Sequence, residues 1–207
     1  MLETEKAAFQ KKIGTSPEQM ADLEMFREML AEGNAVMNLI GPDTLPDFWN
    51  RHAWDSAQLL SHAPDALTWA DLGAGAGLPS VVLGILLKGR AGAHVWMIDS
   101  LGKRCRFLQS VVDNLALPAT VINGRAEEQR ITCDIVTARA VAPMDKLLGY
   151  AQPYFERGAQ GLFLKGEKAE SELIEARKNW HFKAELAVSQ SDVRGRIVTV
   201  RSVRRAR

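Results

Sequence analysis

The segment that most constrains this chain is Asp71-Leu-Gly73-Ala-Gly75-Ala-Gly77-Leu-Pro79. An apolar run, Leu67 to Ala70, precedes it, and the apolar stretch Ser80 to Leu87 follows. That order reads as strand, glycine turn, helix. Glycines let the backbone approach a ligand closely and accept turn dihedrals that other residues resist. The dinucleotide fingerprint G-x-G-x-x-G needs a further glycine where Leu78 or Ser80 stands. The loop therefore fits a nucleotide-like cofactor without a pyrophosphate. An adenosyl group such as that of S-adenosylmethionine is the natural candidate.

Downstream of Leu67 the pattern alternates strands and helices. Strands are expected at about 67–72, 94–99, 120–122, 134–137 and 161–165. Helices are expected at 78–88, around Cys105–Leu115, at 144–154 and from Glu167 to Trp180. Repeated βα units imply a parallel sheet with helices on both faces, and a crevice beyond the carboxyl ends of the strands. Phe182–Val188 and Arg196–Val203 read as two further strands. The short linker between them favours an antiparallel pair, because a parallel crossover needs about a dozen residues or more.

Upstream, Ser16-Pro17-Glu18-Gln19 has the makings of a capping box, with proline at the first helical position. Met20, Leu23, Phe26, Met29 and Leu30 then recur at helical spacing, and the helix should fade near Gly33-Asn34. Gly41-Pro42-Asp43 reads as a turn, and a second helix is expected from about Pro46 to Leu60. Residues 1–63 are thus expected to form a helical cap, and 64–207 the main α/β domain.

With 207 residues the chain is long enough for one substantial domain plus such an extension. Its two cysteines, Cys105 and Cys133, make no disulfide framework and suggest a reducing compartment. No stretch is long and apolar enough to span a membrane, and the N-terminus lacks a secretory pattern, so a cytoplasmic protein is expected. The net charge of +1 argues against indiscriminate coating of nucleic acid, though it hides a local excess. Arg194, Arg196, Arg201, Arg204, Arg205 and Arg207 follow one another with no acid after Asp192. They read equally as a phosphate-contacting tail and as a solvated terminal strand.

Asp99 ends the second strand, where an acid can accept bonds from ribose hydroxyls; alternatively it caps the next helix. Gly124 to Glu127 follows the third strand. It offers either a backbone amide to an adenine edge or simply a turn with an acidic helix start. Arg139 closes the fourth strand beside the expected crevice and needs an anion or solvent partner. No zinc, P-loop or serine-triad motif occurs, and no metal is expected. The tetrad used for exocyclic-amine methylation is absent after the fourth strand, where Thr137-Ala-Arg139-Ala140 stands.

Asp71 to Pro79, Asp99-Ser-Leu-Gly-Lys-Arg104, Arg139-Ala140 and Phe163-Leu-Lys-Gly166 together closely resemble the RsmG family, also called glucose-inhibited division protein B. The similarity extends to Asn38-Leu39 and Arg51-His52-Ala-Trp-Asp55-Ser56, and covers nearly the whole chain. The Asp-Ser-Leu-Gly-Lys-Arg string is more specific than the glycine loop, which many methyltransferases share. The resemblance implies transfer of a methyl group from S-adenosylmethionine to N7 of one guanine in 16S ribosomal RNA. It also implies cofactor contacts at Gly73, Leu78, Ala126, Glu127 and Arg139.

The expected fold class is therefore α/β: a Rossmann-like S-adenosylmethionine-dependent methyltransferase fold, with a mostly parallel sheet, a C-terminal antiparallel hairpin and an N-terminal helical cap. Expected cofactor residues are Gly73, Gly75, Gly77, Leu78, Asp99, Ala126, Glu127 and Arg139. Expected RNA-facing residues are Asn38, Arg51, His52, Asp55, Ser56, Lys103, Arg104, Arg139 and Lys165, although His52, Asp55 and Ser56 read as well as a polar link between cap and sheet. A monomer working on the small ribosomal subunit or its precursor would suffice. A methyltransferase of small molecules or proteins, or a nucleotide-binding module without transfer, are the competing readings.

Overall fold

The computed structural model describes residues 2–206. One seven-stranded sheet runs through the molecule: β1 Thr68–Leu72, β2 His94–Asp99, β3 Ala119–Asn123, β4 Ile135–Arg139, β5 Gln160–Lys165, β6 Trp180–Val188 and β7 Arg196–Arg205. Their order is β3-β2-β1-β4-β5-β7-β6. The first five strands pair in parallel. β7 is antiparallel to both β5 and β6, so the last strand slots inside the sheet and β6 forms its edge. The strand order reverses between β1 and β4, and this switch point is where open α/β sheets bind ligands. Asp134 staples the opposite ends of those two strands, its Oδ2 accepting from the backbone of Leu67 and Thr68 at 2.9 Å each.

Two helical layers cover the sheet. Helix α5, Ser80–Leu87, is buried throughout, and α6, Gly102–Leu115, turns Cys105, Phe107, Leu108, Val111, Val112 and Leu115 inward. Both lie on the face that also receives α1, Leu2–Ile13, and α2, Pro17–Met37. The opposite face carries α7, Met144–Phe155, and α8, Ala169–Ala176.

The capping box forms: Ser16 Oγ accepts from the Gln19 amide and Gln19 Oε1 from the Ser16 amide. Helix α2 does not fade at Gly33. A Cβ there would stand 2.9 Å from the Phe107 ring, so this glycine permits close packing of α2 on α6. The helix ends instead at Asn38, whose left-handed backbone (φ 50°) suits asparagine at a C-cap.

The expected helix at 46–60 is not one helix. A 3₁₀ turn, Pro42–Asp47, leads into a π-helical run, Phe48–Trp54, then into the short helices α3, Asp55–Ala57, and α4, Leu59–His62. The prolines lack donors for a regular ladder, and the wide turn buries Phe48, Trp49, His52 and Ala53 together. Trp49 packs on Phe9 and Phe48 on Phe26, which ties α1 and α2 to this run. Helix α8 stops at Ala176. Trp180 opens β6 instead, buried with its indole N–H on Asp145 Oδ1 at 3.1 Å.

Candidate functional site

The turn after β1 lies at the switch point. Gly73, Gly75 and Gly77 all have positive φ (69°, 56° and 84°), a region open to glycine at little cost. They differ in what surrounds them. A Cβ on Gly77 would overlap Val81, and one on Gly73 would come 2.7 Å from Val141. A Cβ on Gly75 would meet only the Gly73 carbonyl at 3.6 Å. Gly77 and Gly73 are therefore set by packing, and Gly75 by open space above the turn. Leu78 is buried beside them.

Asp99 closes this turn from the end of β2. Its Oδ2 accepts from the Gly75 amide at 2.9 Å and its Oδ1 from the Leu101 amide at 2.8 Å. Arg104 stands 3.7 Å away. The cap geometry is thus present, since Leu101 is the N-cap of α6. A carboxylate has about four lone-pair sites, so two amides leave room for hydroxyl donors. Asp71, to which motif reading gave no role, lies buried under the same turn. Its Oδ2 accepts from the Ser80 amide at 3.3 Å, while its Oδ1 is buried with no partner. Burial pushes this carboxyl up to about 7 against a partial opposing effect from Ser80. Space over Gly75 and spare lone pairs on Asp99 fit a nucleoside-bearing cofactor that brings its own donors.

The segment expected at the adenine edge is a 3₁₀ turn, Ala126–Glu128, after β3. Tyr154 of α7 donates to the Ala126 carbonyl at 3.0 Å and fixes the turn from below. Glu127 is half-exposed and stands 3.8 Å from Arg125.

Across the switch point, Arg139 joins the sheet to the helical cap. Its Nη1 donates to the Arg51 carbonyl and to Asp55 Oδ2, both at 3.4 Å, and its Nη2 to His52 Nδ1 at 3.2 Å. Since Nδ1 accepts, His52 is neutral with its proton on Nε2, which donates to Thr44 Oγ1 at 3.0 Å; Thr44 in turn donates to the Gly41 carbonyl. Burial, then the Arg139 and Arg51 charges, pull His52 down to about 3. Two of the five guanidinium donors of Arg139 remain for a ligand or solvent. Ala140, next in the chain, takes a left-handed φ of 55°, a cost of about 1–2 kcal/mol for a residue with a Cβ.

Asp55 holds a second cluster. Its Oδ1 accepts from Gln58 Nε2 at 3.0 Å, Ser189 Oγ at 3.3 Å and Ser191 Oγ at 2.7 Å. Gln58 Oε1 also accepts from the Gln190 amide at 2.8 Å. The loop between β6 and β7 is thereby tied to the cap. Nothing in the sequence around Gln58 or Ser189 signals this, because the partners lie far apart in the chain.

A cleft of about 1200 Å³ opens between these elements, lined by Arg51, His52, Asp55, Arg139, Lys165 and the 189–196 loop among others. It lies over β4 and β5, next to the glycine turn rather than on it. The expected RNA-facing residues are distributed unevenly about it. Arg51 is exposed at its rim. Lys103 is exposed on the first turn of α6, and Arg104 leans toward Asp99. Asn38 is exposed, and its backbone serves as the α2 cap. Lys165 is only 10% exposed; its ammonium bonds the Ala142 carbonyl and Glu172. Ser56 is wholly buried, and its hydroxyl donates to the His52 carbonyl at 2.7 Å. Ser56 is thus closed off from a ligand, whereas Lys165 lines the cleft with one of its three ammonium donors still unspent.

Cys133 is buried and its thiol pushed up to about 12, which makes it packing rather than a nucleophile. No helix among the described residues is long and apolar enough to cross a membrane.

Residues 19–198 match the family described as GidB, rRNA small subunit methyltransferase G. Ribosomal RNA small subunit methyltransferase G of Caulobacter vibrioides is 59% identical over 201 residues, covering 97% of this chain and 93% of its own. The protein of the same name from Methylorubrum populi is 42% identical over 193 residues, covering 92% of each chain. Among solved structures, magnesium protoporphyrin IX methyltransferase from Synechocystis PCC 6803 with bound SAM superposes with a TM-score of 0.59 at 15% identity, covering 91% of this chain and 99% of its own. A SAM dependent methyltransferase from Aquifex aeolicus gives 0.58 at 14% identity, covering 81% and 97%. At such identities these two share the fold alone.

Proposed function

Since the chain belongs to the rRNA small subunit methyltransferase G family, we propose that it methylates N7 of one guanine in 16S ribosomal RNA. One observation carries the reading beyond the name. The glycine turn closed by Asp99 stands beside a large cleft headed by Arg139, so a cofactor half and an acceptor half meet at the switch point.

In this reading S-adenosylmethionine, when bound, supplies an electrophilic methyl group on a sulfonium. Gly73, Gly75, Gly77 and Leu78 shape its berth, and Asp99 accepts from the ribose. Ala126 and Glu127 border the adenine edge. Arg139 sits where the two halves meet. The N-terminal helical segment, expected at 1–63, lends residues between Leu39 and Asp55 to the wall of the cleft, and the segment from residue 64 carries the catalytic domain. A single chain supplies every residue named, so a monomer suffices.

Guanine N7 carries an in-plane lone pair and no proton. The protein therefore needs no general base and acts by alignment and electrostatic fit. That agrees with the structural bonds of two of the site's acids: Asp55 is bonded to the 189–191 loop, and Asp99 holds the turn. Arg51 and Lys103, both exposed, are cations that can meet RNA phosphates. Target choice in this reading rests on RNA shape presented around the cleft, which favours an assembled or assembling small subunit as substrate.

The test follows labelled methyl from S-adenosylmethionine into deproteinised 16S RNA, unmodified small subunits, intact ribosomes and a protein extract. Borohydride and aniline treatment of the product should then break the RNA at one guanine. Label only on exocyclic amines, ribose or protein would refute the proposal.

A further inference from the structure

Of the arginines near the end of the chain, Arg194 and Arg196 line the cleft. Arg201, Arg204 and Arg205 lie at the other end of the β6–β7 pair. Lys183 stands directly opposite Arg201, and His181 opposite Arg204. Like charges facing one another across a strand pair destabilise it. An edge strand gains protection from charge, lysine above all, which accounts for Lys183 on β6 but not for Arg201 and Arg204 on the inner strand β7.

A bulge gathers the cluster. Phe182 alone separates His181 from Lys183, whereas Ser202 and Val203 separate Arg201 from Arg204, and the register shifts between them. Ser202 absorbs the extra residue with a φ of 57°. In an unbroken strand, residues three apart point to opposite faces. The bulge returns Arg204 to the face of Arg201, and bulges commonly re-aim side chains in this way.

Lys183, Arg201 and Arg204 are all exposed, and among the described residues none has an ion-pair partner. Arg201 spends only its Nε, on Gln160. Glu185, nearer the cleft, is the acid on the same row. Arg205 lies on the other face, stacked 4.6 Å over the Trp180 ring.

Resting on the RNA reading above, we propose that Lys183, Arg201 and Arg204 form a second docking surface for the phosphate backbone of the ribosomal RNA, remote from the methylated base. From Arg196 at the cleft to this row is about 16–26 Å along β7, at roughly 3.3 Å per residue. The surface therefore meets a different stretch of RNA from the one in the cleft. It adds affinity and register without reading sequence.

The test compares the intact protein with the triple variant Lys183→Gln/Arg201→Gln/Arg204→Gln on unmodified small subunits over a range of salt. The KM for subunits should rise about tenfold or more with kcat kept. The slope of log affinity against log salt should fall by about 2–3, at about 0.7–0.9 per phosphate contact. Binding of S-adenosylhomocysteine and the thermal midpoint should not fall. Arg201→Lys/Arg204→Lys, which keeps the charge, should retain wild-type KM and slope. Unchanged KM and slope in the triple variant would overturn the proposal, as would equal losses in the lysine variant. Wild-type protein that transfers methyl to no RNA would instead bring down the functional reading itself.

Discussion

Replacing Asp99 by alanine separates two tasks that one carboxylate performs. It accepts from the Gly75 and Leu101 amides at 2.9 and 2.8 Å, and so holds the glycine turn to the start of α6. Hydrogen bonds to a charged group contribute about 1.5–3 kcal/mol each. Gly75 and Leu101 are both reachable by solvent, so water recovers part of this, and the net loss should be about 2–4 kcal/mol. For a chain of this size that is a fall of about 4–16 °C in Tm. Loss of the ribose bonds should weaken S-adenosylhomocysteine binding by a further 1.5–3 kcal/mol, about 10- to 150-fold. Calorimetry below the variant's own melting range measures the second effect apart from the first. Wild-type Tm in Asp99→Ala would refute the scaffold argument; wild-type affinity would remove Asp99 from the cofactor site.

The neighbouring glycines should divide in the opposite sense: Gly77→Ala overlaps Val81 and should lower Tm, whereas Gly75→Ala enters open space and should cost binding more than stability, as melting and calorimetry on both variants will show. His52 and Asp71 should tilt stability against pH in opposite directions. With His52 near 3 when folded and ordinarily 6.5, only the unfolded chain takes a proton between those values, so stability falls as pH falls, by up to about 1.4 kcal/mol per unit. With Asp71 near 7 against an ordinary 3.8, only the folded chain holds a proton there, so stability falls as pH rises. Urea unfolding from pH 4 to 8 should show His52→Gln removing the first slope and Asp71→Asn the second, the latter gaining stability above pH 7. Lys103→Glu should weaken RNA binding and reduce its salt slope by at least about 0.7 while leaving S-adenosylhomocysteine affinity unchanged in calorimetry.

What the sequence disclosed follows the range of the forces involved. β2 falls at 94–99 as expected, because a strand bounded by Ala-Gly-Ala and Asp-Ser is a local signal. The glycine turn and Asp99 were legible for the same reason. Gly33 misled because its neighbour Phe107 belongs to another helix, and a helix stop and a packing notch look alike in one dimension. The π-helical run at 48–54 was hidden because its register is set by burying Trp49 on Phe9. The network from Arg139 through His52 and Asp55 to Ser189 joins residues that only the folded sheet brings together. Motif reading could nominate Arg139, His52 and Asp55 singly but could not supply their bonds, nor show that Ser56 is buried with its hydroxyl on the His52 carbonyl and that Lys165 is tethered to Glu172.

The position of β7 also dictates the order in which the molecule can be completed. β6 is made first, yet it has no pairing to β5 until residues 196–205 exist to lie between them. While the chain is being made, β5 presents a bare edge, with Phe163 and Leu164 awaiting Val198 and Ile197. β7 is therefore a keystone: it supplies ladders on both sides at once, and it also closes the loop whose serines hold Asp55. A chain interrupted before Arg196 would lose the outer strand together with the inner one, and with them a wall of the cleft.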